Sequence, residues 1–287
     1  MKETIKLYYK LAKPGIIYGN LMSAIAGFML ASQRNFDPDL FLAMIAGTAM
    51  VIGSGCVFNN YIDRGIDSKM KRTERRALPA GRIPLVNALI YGTVLGLSGF
   101  GILWHFTNPV TVLLGFIGIF FYVVVYGIAK RRTPWGTVIG SIPGATPAAA
   151  GYTAFTGTFD EAALLLFLIL TVWQMPHFYA LAIFQLDDYK RAGLPVLSAV
   201  RGIRTTKTRI MAYIAASIPL APLLTVFGYT GYTFALVMSI LGIVWFWEGI
   251  KKFNATDSVA WARRMFVYSL IVLLVFPLAV TVDIFLP

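Results

Sequence analysis

The chain of 287 residues is 57% hydrophobic and 13% charged, and its formal net charge at pH 7 is +12. The charged fraction is about half that of an ordinary soluble domain, so the composition excludes a soluble protein and predicts that most of the chain lies in lipid. Its apolar segments are continuous rather than alternating with a period of two, which favours membrane helices over a β-barrel.

Nine segments are long and apolar enough to be transmembrane helices, because a span needs roughly 20 apolar residues. They lie at about 15–32, 40–60, 86–105, 110–129, 135–155, 162–184, 211–227, 231–250 and 266–286. The first segment continues into further spans without a convincing cleavage site, so we expect a retained helix rather than a signal peptide. The sequence therefore predicts an all-α polytopic protein with one membrane-embedded domain over 1–287, in the inner membrane of a bacterial cell.

The basic residues predict the orientation of these spans. The N-terminus and the second, fourth, sixth and eighth loops carry 4, 7, 3, 6 and 4 Lys or Arg residues, and only Arg34 lies on the opposite side. By the positive-inside rule, the N-terminus and these loops are cytoplasmic. The positive charge therefore marks orientation, and we expect no nucleic-acid partner. The long second and sixth loops, at about 61–85 and 185–210, are polar and carry aspartates, so we expect the active site there.

An acidic stripe is the strongest chemical signal in the sequence. Asn59, Asp63 and Asp67 are spaced i, i+4 and i+8, which places them on one face of a helix over about 12 Å. Carboxylates at this spacing suit Mg²⁺ ions that also bind the oxygens of a diphosphate. The alternative is a solvated helix end, but like charges at i and i+4 destabilise a bare helix. We therefore expect a metal site that uses these three residues.

A basic cluster over 69–79 follows the stripe. It includes Lys71, Arg72 and Arg76, and arginine makes bidentate contacts with phosphate oxygens. Taken alone, the same residues would also follow from the positive-inside rule. Next to the acidic stripe, they predict a site for a Mg²⁺-diphosphate.

Motifs along essentially the whole chain resemble the UbiA superfamily of intramembrane prenyltransferases, and especially its members that farnesylate haem. The stripe is typical of the superfamily, whereas Trp173-Gln-Met-Pro-His-Phe178 is much closer to specific for the haem enzymes. The other shared motifs are Lys13-Pro14-Gly15, Ser54–Arg64, Arg72-Thr73, Lys130-Arg131, Gly140-Ser141 with Gly144-Ala145, Asp188-Tyr189 with Pro195-Val196-Leu197, and Trp261–Arg264.

The resemblance implies nine transmembrane helices around a central cavity, in agreement with the independent count of spans. It implies transfer of a farnesyl group from farnesyl diphosphate to a vinyl group of haem B, with addition of water, giving haem O and diphosphate. The cofactor would be Mg²⁺. The partners would be haem B, farnesyl diphosphate and the lipid bilayer, with a haem A synthase or a terminal oxidase pathway downstream.

The resemblance also assigns site residues. Asn59, Asp63 and Asp67 would form the first metal and catalytic site, and Asp188 the second. Other superfamily members have a fuller DxxxD at the second site, but here no Asp lies four residues from Asp187 or Asp188, which leaves the number of metal ions there open. The expected substrate-binding residues are Lys13, Lys71, Arg72, Arg76, Lys130, Arg131, His177 and Tyr189.

His177 has two interpretations. Polar groups within spans are costly and usually functional, and imidazole is a common haem ligand, so contact with haem is one prediction. A buried histidine that only makes a structural hydrogen bond is the other. Pro176 precedes it and could kink the helix and aim the side chain into the cavity.

Aromatic and small residues give weaker signals. Faces of Tyr61, Phe178 and Tyr179 could stabilise an allylic cation. Small residues of the fifth span, including Gly140, Gly144 and Gly151, predict either close helix packing or a flat cavity wall for a porphyrin. The single cysteine excludes an intrachain disulfide.

Two other functions remain alternatives. A related prenyltransferase could use another acceptor, such as an aromatic acid or a chlorophyll-like alcohol, and the acidic stripe does not exclude it. A secondary transporter would place its charged residues near the bilayer midplane, whereas these carboxylates lie at the cytoplasmic end of a span. The hexapeptide around His177 and the basic sequence of the sixth loop favour haem as the acceptor.

Overall fold

The computed structural model describes residues 2–286, and every regular element in that range is helical. In chain order the helices are α1 (Lys2–Leu11), α2 (Pro14–Ser32), α3 (Pro38–Asp67), α4 (Leu85–Phe106), α5 (Pro109–Phe120), α6 (Tyr126–Arg132), α7 (Gly136–Thr156), α8 (Glu161–Phe184), α9 (Leu186–Arg191), α10 (Leu197–Val200), α11 (Gly202–Leu220), α12 (Leu223–Val226), α13 (Tyr232–Lys251) and α14 (Ser258–Asp283). A π-helical turn at Phe121–Val125 joins α5 to α6, so these three segments form one continuous rod.

Several helix starts are encoded locally by capping residues. Asp37, Asn108, Asp160 and Asp257 each accept a hydrogen bond from a backbone N–H in the first turn of α3, α5, α8 and α14. Such caps satisfy amide groups that have no partner within the helix. Short polar connections in the sequence therefore become helix boundaries.

Eight helical segments are long and apolar enough to cross a membrane: Pro14–Ser32, Pro38–Asp67, Leu85–Phe106, Pro109–Arg132, Glu161–Phe184, Gly202–Val226, Tyr232–Lys251 and Ser258–Asp283. They overlap eight of the nine predicted spans. The prediction of an all-helical protein with many membrane spans is therefore confirmed for residues 2–286.

Helix α7 coincides with the remaining predicted span, at 135–155, but it is not among the eight apolar segments. It is rich in Gly, Pro, Ser and Thr, and every residue from Ala145 to Ala154 is buried. It packs against α2, α5 and α8. Because protein rather than lipid surrounds this part of α7, small residues serve it better than large apolar ones.

The close packing of α2 on α7 depends on two glycines. A Cβ atom on Gly151 would lie 1.9 Å from the carbonyl oxygen of Ala24, and one on Gly27 would lie 2.0 Å from that of Ala148. Neither site has room for a side chain. At Gly151 the structure therefore supports the packing interpretation of the small residues.

Two predicted span boundaries are wrong by about two turns. Helix α11 begins at Gly202 rather than near 211, and α14 begins at Ser258 rather than near 266. The early turns carry charged side chains that a search for apolar runs rejects, yet the backbone hydrogen bonds continue through them. One of these charged side chains, Lys207, is satisfied within the protein, because its ammonium donates a hydrogen bond of 2.8 Å to the carbonyl oxygen of Phe253. The predicted loop at 185–210 accordingly contains α9, α10 and the start of α11.

Helix α3 is longer than a membrane crossing requires. Its 30 residues span about 45 Å, against a hydrocarbon core of about 30 Å. The last turns therefore extend beyond the apolar segment, and residues 61–67, predicted as loop, are helical. These turns carry Asp63 and Asp67, so the helix itself sets the spacing of the two carboxylates.

Candidate active site

A cavity of about 560 Å³ lies among the helices, lined mainly by α2, α3, α5, α7 and α8. Asp67 and Arg76 line it near the C-terminal end of α3, and Leu103 lines it at the far end. Leu103 packs on Gly47, twenty residues before Asp67, so the two ends are about 30 Å apart along α3. The cavity thus joins a strongly polar end to a long apolar interior.

Asn59, Asp63 and Asp67 all line this cavity, as one stripe on the last turns of α3. They are only 3%, 9% and 3% exposed, which excludes the alternative of a solvated helix end. Buried carboxylates must be paired with cations or metal ions. The rest of the site supplies such partners.

Each residue of the stripe contacts at least one cationic side chain. Asp63 accepts hydrogen bonds from Lys130 and from Nη2 of Arg131, the latter at 2.9 Å from Oδ1. Asp67 pairs with Arg76, and Asn59 Oδ1 accepts from Lys13 Nζ at 2.9 Å.

Lys13 is placed by an unusual backbone conformation. It precedes α2 with φ of 54°, in the left-handed region, which is uncommon outside glycine. The side chain turns inward as a result, and burial lowers the pKa of Lys13 to about 8. It is thus largely protonated at neutral pH, and its partly buried position on the cavity wall strengthens its attraction for an anion.

The second and sixth loops meet at Asp188. Its carboxylate accepts hydrogen bonds from the backbone N–H groups of Lys71 and Arg72, at 3.2 and 3.3 Å, and pairs with Arg191. Desolvation opposes ionisation of Asp188, but these hydrogen bonds prevail and lower the pKa of the carboxyl. Asp187, its neighbour, has no such contact among residues 2–286, and the functional preference for Asp188 stays a prediction.

Nine of the twelve predicted site residues line the cavity: Lys13, Asn59, Asp63, Asp67, Arg72, Arg76, Lys130, His177 and Tyr189. The other three lie just behind it. Arg131 pairs with Asp63 from outside, and Lys71 and Asp188 connect the two loops. The metal and substrate roles of all twelve remain predictions.

The donor set fits Mg²⁺ shared with a diphosphate better than a closed protein cage. Within the described residues, no three His, Cys, Asp or Glu side chains converge on one point. The stripe instead offers carboxylates spread along the cavity wall, an arrangement that leaves coordination positions for substrate oxygens, as Mg²⁺ usually requires. Nδ2 of Asn59 is buried without a hydrogen-bond partner in residues 2–286, and as a donor it suits a phosphate oxygen rather than a metal ion.

His177 lies in the middle of an aromatic group on the cavity wall. Its ring stacks on Trp173 with centroids 5.5 Å apart, and the ring of Phe266 lies 4.4 Å away. Its Nδ1 atom is 2.8 Å from Oγ of Ser269. Helix α8 continues through Pro176, and residues of α14, Phe266 and Ser269, contact the ring.

Some side chains of the site were missed or misplaced by sequence reasoning. Tyr126 lies under the ammonium of Lys130, 5.0 Å from ring centroid to Nζ, and lines the cavity. Of the three aromatic residues proposed to stabilise a cation, only Phe178 lines the cavity. Tyr61 packs against Arg64, and Tyr179 is buried in the core. The sequence does not show which aromatic residues face the cavity, because their orientation depends on packing between distant helices.

The amino-acid sequence matches a known protein family along most of its length. The profile of the UbiA prenyltransferase family matches residues 20–271. The protoheme IX farnesyltransferase of Yersinia pseudotuberculosis serotype O:1b is 45% identical over 280 residues, which cover 97% of this chain and 95% of that protein. The protoheme IX farnesyltransferase of Klebsiella pneumoniae is 43% identical over 283 residues, with 98% and 96% covered.

Solved structures agree in fold. A digeranylgeranylglyceryl phosphate synthase superposes with a TM-score of 0.80 at 19% identity, over 98% of this chain and 99% of that one. A UbiA homologue from Archaeoglobus fulgidus, bound to GPP and Mg²⁺, superposes with a TM-score of 0.75 at 13% identity, over 96% and 99%. At these identities the likeness concerns the fold alone.

Proposed function

Because the chain belongs to the UbiA prenyltransferase family, we propose that it joins farnesyl diphosphate, haem B and water into haem O, with release of diphosphate. The observation that carries this proposal is the 45% identity, over nearly the full length, to proteins named protoheme IX farnesyltransferase. The cavity supports it, since a polar end suited to diphosphate opens into an apolar interior with a histidine on its wall.

The diphosphate would lie among Lys13, Arg72, Arg76 and Lys130. These side chains surround one end of the cavity, and Arg76 and Lys130 already hold carboxylates there. When the substrate binds, Arg76 and Lys130 would exchange a carboxylate oxygen for a phosphate oxygen with little movement of their side chains. Charge-assisted contacts of this kind are stronger for the released diphosphate than for the bound ester, because cleavage of the C–O bond adds one negative charge to it, so they favour its departure.

Asn59, Asp63 and Asp67 would hold Mg²⁺ together with substrate phosphates, and the resemblance adds Asp188 as a further candidate ligand. The ion would supply Lewis-acid neutralisation of the diphosphate. Asp188 would need to turn from the loop amides toward the cavity, or act by fixing the two loops around the substrate. Its hydrogen bonds to Lys71 and Arg72 favour the second of these roles.

The farnesyl chain and the porphyrin would share the apolar interior. Water must not reach the allylic cation before the vinyl carbon does, and the interior is formed by side chains such as Val51, Leu114 and Leu170. The face of Phe178 is available to stabilise positive charge. His177 would contact haem from the wall formed by α8 and α14.

We further propose nine membrane spans, with α7 as the fifth, an N-terminus in the cytoplasm and an active site on the cytoplasmic side of the inner membrane. The distribution of basic residues supports this orientation, since 24 of the 25 Lys and Arg residues lie in the N-terminus and the even-numbered loops. The site residues Asp63, Asp67 and Arg76 lie at that end of the bundle. Reporter fusions at the N-terminus would test the orientation directly.

The proposed activity is tested with purified protein, haem B, farnesyl diphosphate and Mg²⁺, followed by mass analysis of the pigments. We expect a product heavier than haem B by one farnesyl group and one hydroxyl. The iron complex of mesoporphyrin, which has ethyl groups in place of both vinyls, is the matched control and should give no product. Transfer to an aromatic acid, but not to haem B, would contradict the proposal.

A further inference from the structure

The hydroxyl of Ser269 makes a buried contact with the cavity histidine. Ser269 lies on α14, 92 positions after His177, and is 0% exposed. Its Oγ lies 2.8 Å from Nδ1 of His177. None of the motifs in the sequence includes Ser269, because this contact exists only when α8 and α14 pack together.

The direction of this hydrogen bond follows from the second contact of the serine. Ser269 Oγ also lies 2.5 Å from the carbonyl oxygen of Phe266, which can only accept. A hydroxyl has a single proton, so Ser269 gives it to that carbonyl and offers a lone pair to the imidazole. His177 must therefore carry its proton on Nδ1, which leaves Nε2 with a free lone pair.

The backbone of Ser269 holds the adjoining aromatic residue. Its carbonyl oxygen accepts a hydrogen bond of 2.9 Å from Nε1 of Trp173, the residue on which His177 stacks. Phe266 also packs against the imidazole, with ring centroids 4.4 Å apart. The ring is thus held at Nδ1 and by two aromatic neighbours, while Nε2 has no hydrogen-bond partner within the part of the chain that the structure describes.

We infer that Ser269 is a positioning residue that fixes His177 in the Nδ1–H tautomer and so presents the Nε2 lone pair to the iron of haem. This inference rests on the proposed function, in which the acceptor is haem. A hydrogen bond at the remote nitrogen of a ligating imidazole sets the tautomer, the ring orientation and the basicity of the ligand. Through the iron, Ser269 would then fix the position of the porphyrin and its vinyl groups.

The test compares two variants at Ser269 with one matched control. Ser269→Ala removes the hydroxyl and keeps a good helix former. Ser269→Thr keeps the hydroxyl. Ser217→Ala is the control, since Ser217 Oγ makes the same type of bond to a carbonyl three residues earlier, at 2.7 Å, but contacts no histidine. Each purified variant is titrated with haem B, and the iron–histidine stretching frequency of the ferrous complex is measured by resonance Raman spectroscopy.

We expect Ser269→Ala to lower the iron–histidine frequency and to weaken haem affinity on the order of tenfold, whereas Ser269→Thr and Ser217→Ala keep the wild-type values. An unchanged frequency and affinity in Ser269→Ala would overturn the inference. If His177→Ala binds haem with the wild-type spectrum, His177 does not contact haem, and the proposed role of Ser269 is then excluded as well. Farnesyl transfer in that variant would show that the proposed activity itself survives.

Discussion

The guanidinium of Arg76 and the carboxylate of Asp67 form an ion pair across nine positions of the chain, with Nη1 2.9 Å from Oδ2. The carboxylate side chain is 4% exposed and the guanidinium side chain 32%. The acidic member is therefore shielded from solvent and the basic member is partly exposed, while both line the cavity. In the proposed complex the carboxylate turns to the metal and the guanidinium to the phosphate, so the pair holds both groups ready before the substrate arrives.

Replacing either carboxylate of the stripe should abolish turnover without unfolding the protein. Asp63→Asn and Asp67→Asn keep the size of the side chain and an oxygen for the neighbouring cation, but remove the charge that would hold the metal. We expect kcat to fall by about 10²–10³ or more, the loss typical for one essential electrostatic contact. Asp257→Asn is the control, because Asp257 only caps α14 and asparagine caps equally well. Near wild-type turnover in both stripe variants would contradict the assignment of Asp63 and Asp67 as metal ligands.

The two adjacent aspartates of the sixth loop should behave differently. Asp188→Asn weakens the contacts to the amides of Lys71 and Arg72, so we expect a higher KM for farnesyl diphosphate and a lower kcat. Asp187→Asn should have neither effect, since Asp187 is exposed and carries no comparable contact in residues 2–286. Steady-state measurement of KM and kcat for the two variants tests this prediction. Equal losses in both variants would show that the position of Asp188 does not matter.

Arg72 and Arg76 should be specific for the diphosphate. Replacement by lysine keeps the charge but loses the bidentate geometry, so KM for farnesyl diphosphate should rise about tenfold, or about 1.4 kcal/mol. Haem affinity, measured by titration of the Soret band, should stay constant. Arg75→Lys serves as the control because Arg75 is exposed and does not line the cavity. A fall in haem affinity would instead place these arginines at the acceptor.

The two histidines of the chain provide a matched test of the haem contact. His177→Ala should weaken haem binding and shift the Soret band, with little change in affinity for farnesyl diphosphate. His105→Ala should change neither, since His105 is exposed at the end of α4. A stable His177→Ala protein with wild-type haem affinity and spectrum would support a purely structural histidine.

Gly151→Ala should destabilise the bundle by about 1–3 kcal/mol, because the new methyl group would collide with the backbone of α2 at Ala24. Gly101→Ala is the control, as no atom lies within 4 Å of a Cβ at that position. It should leave stability unchanged or raise it by about 0.5–1 kcal/mol through helix propensity. Thermal unfolding in detergent measures both. Equal melting temperatures would mean that α2 and α7 can separate at no cost.

Local periodicity was enough to predict the acidic stripe. Asn59, Asp63 and Asp67 share a face whenever the chain is helical there, so their common orientation required no knowledge of the fold. The partners of the stripe depend on how distant segments pack. The contact of Lys130 with Asp63 joins positions 67 apart, and the residues were expected near the site only because of the family resemblance.

Hydropathy predicts the spans for a related physical reason and is inaccurate at the starts of α11 and α14, where that reason does not apply. Lipid selects apolar side chains, so segments that face lipid are visible in the sequence. Helix α7 is surrounded by protein over Ala145–Ala154 and need not be strongly apolar. The first turns of α11 carry charges such as Arg204 and Lys207, so a search for apolar residues places its start too late.

The π-helical turn at Phe121–Val125 shifts the helical phase of the fourth span by about one residue. Tyr122 lines the cavity, and in an unbroken α-helix the same face would return about seven residues later, at Ala129. The wider turn inserts one position, so Lys130 occupies that face instead and reaches Asp63. A helical wheel that assumes an uninterrupted α-helix would therefore place Ala129, rather than Lys130, on the cavity face. The local change in winding, rather than the amino-acid spacing, brings Lys130 into the cavity.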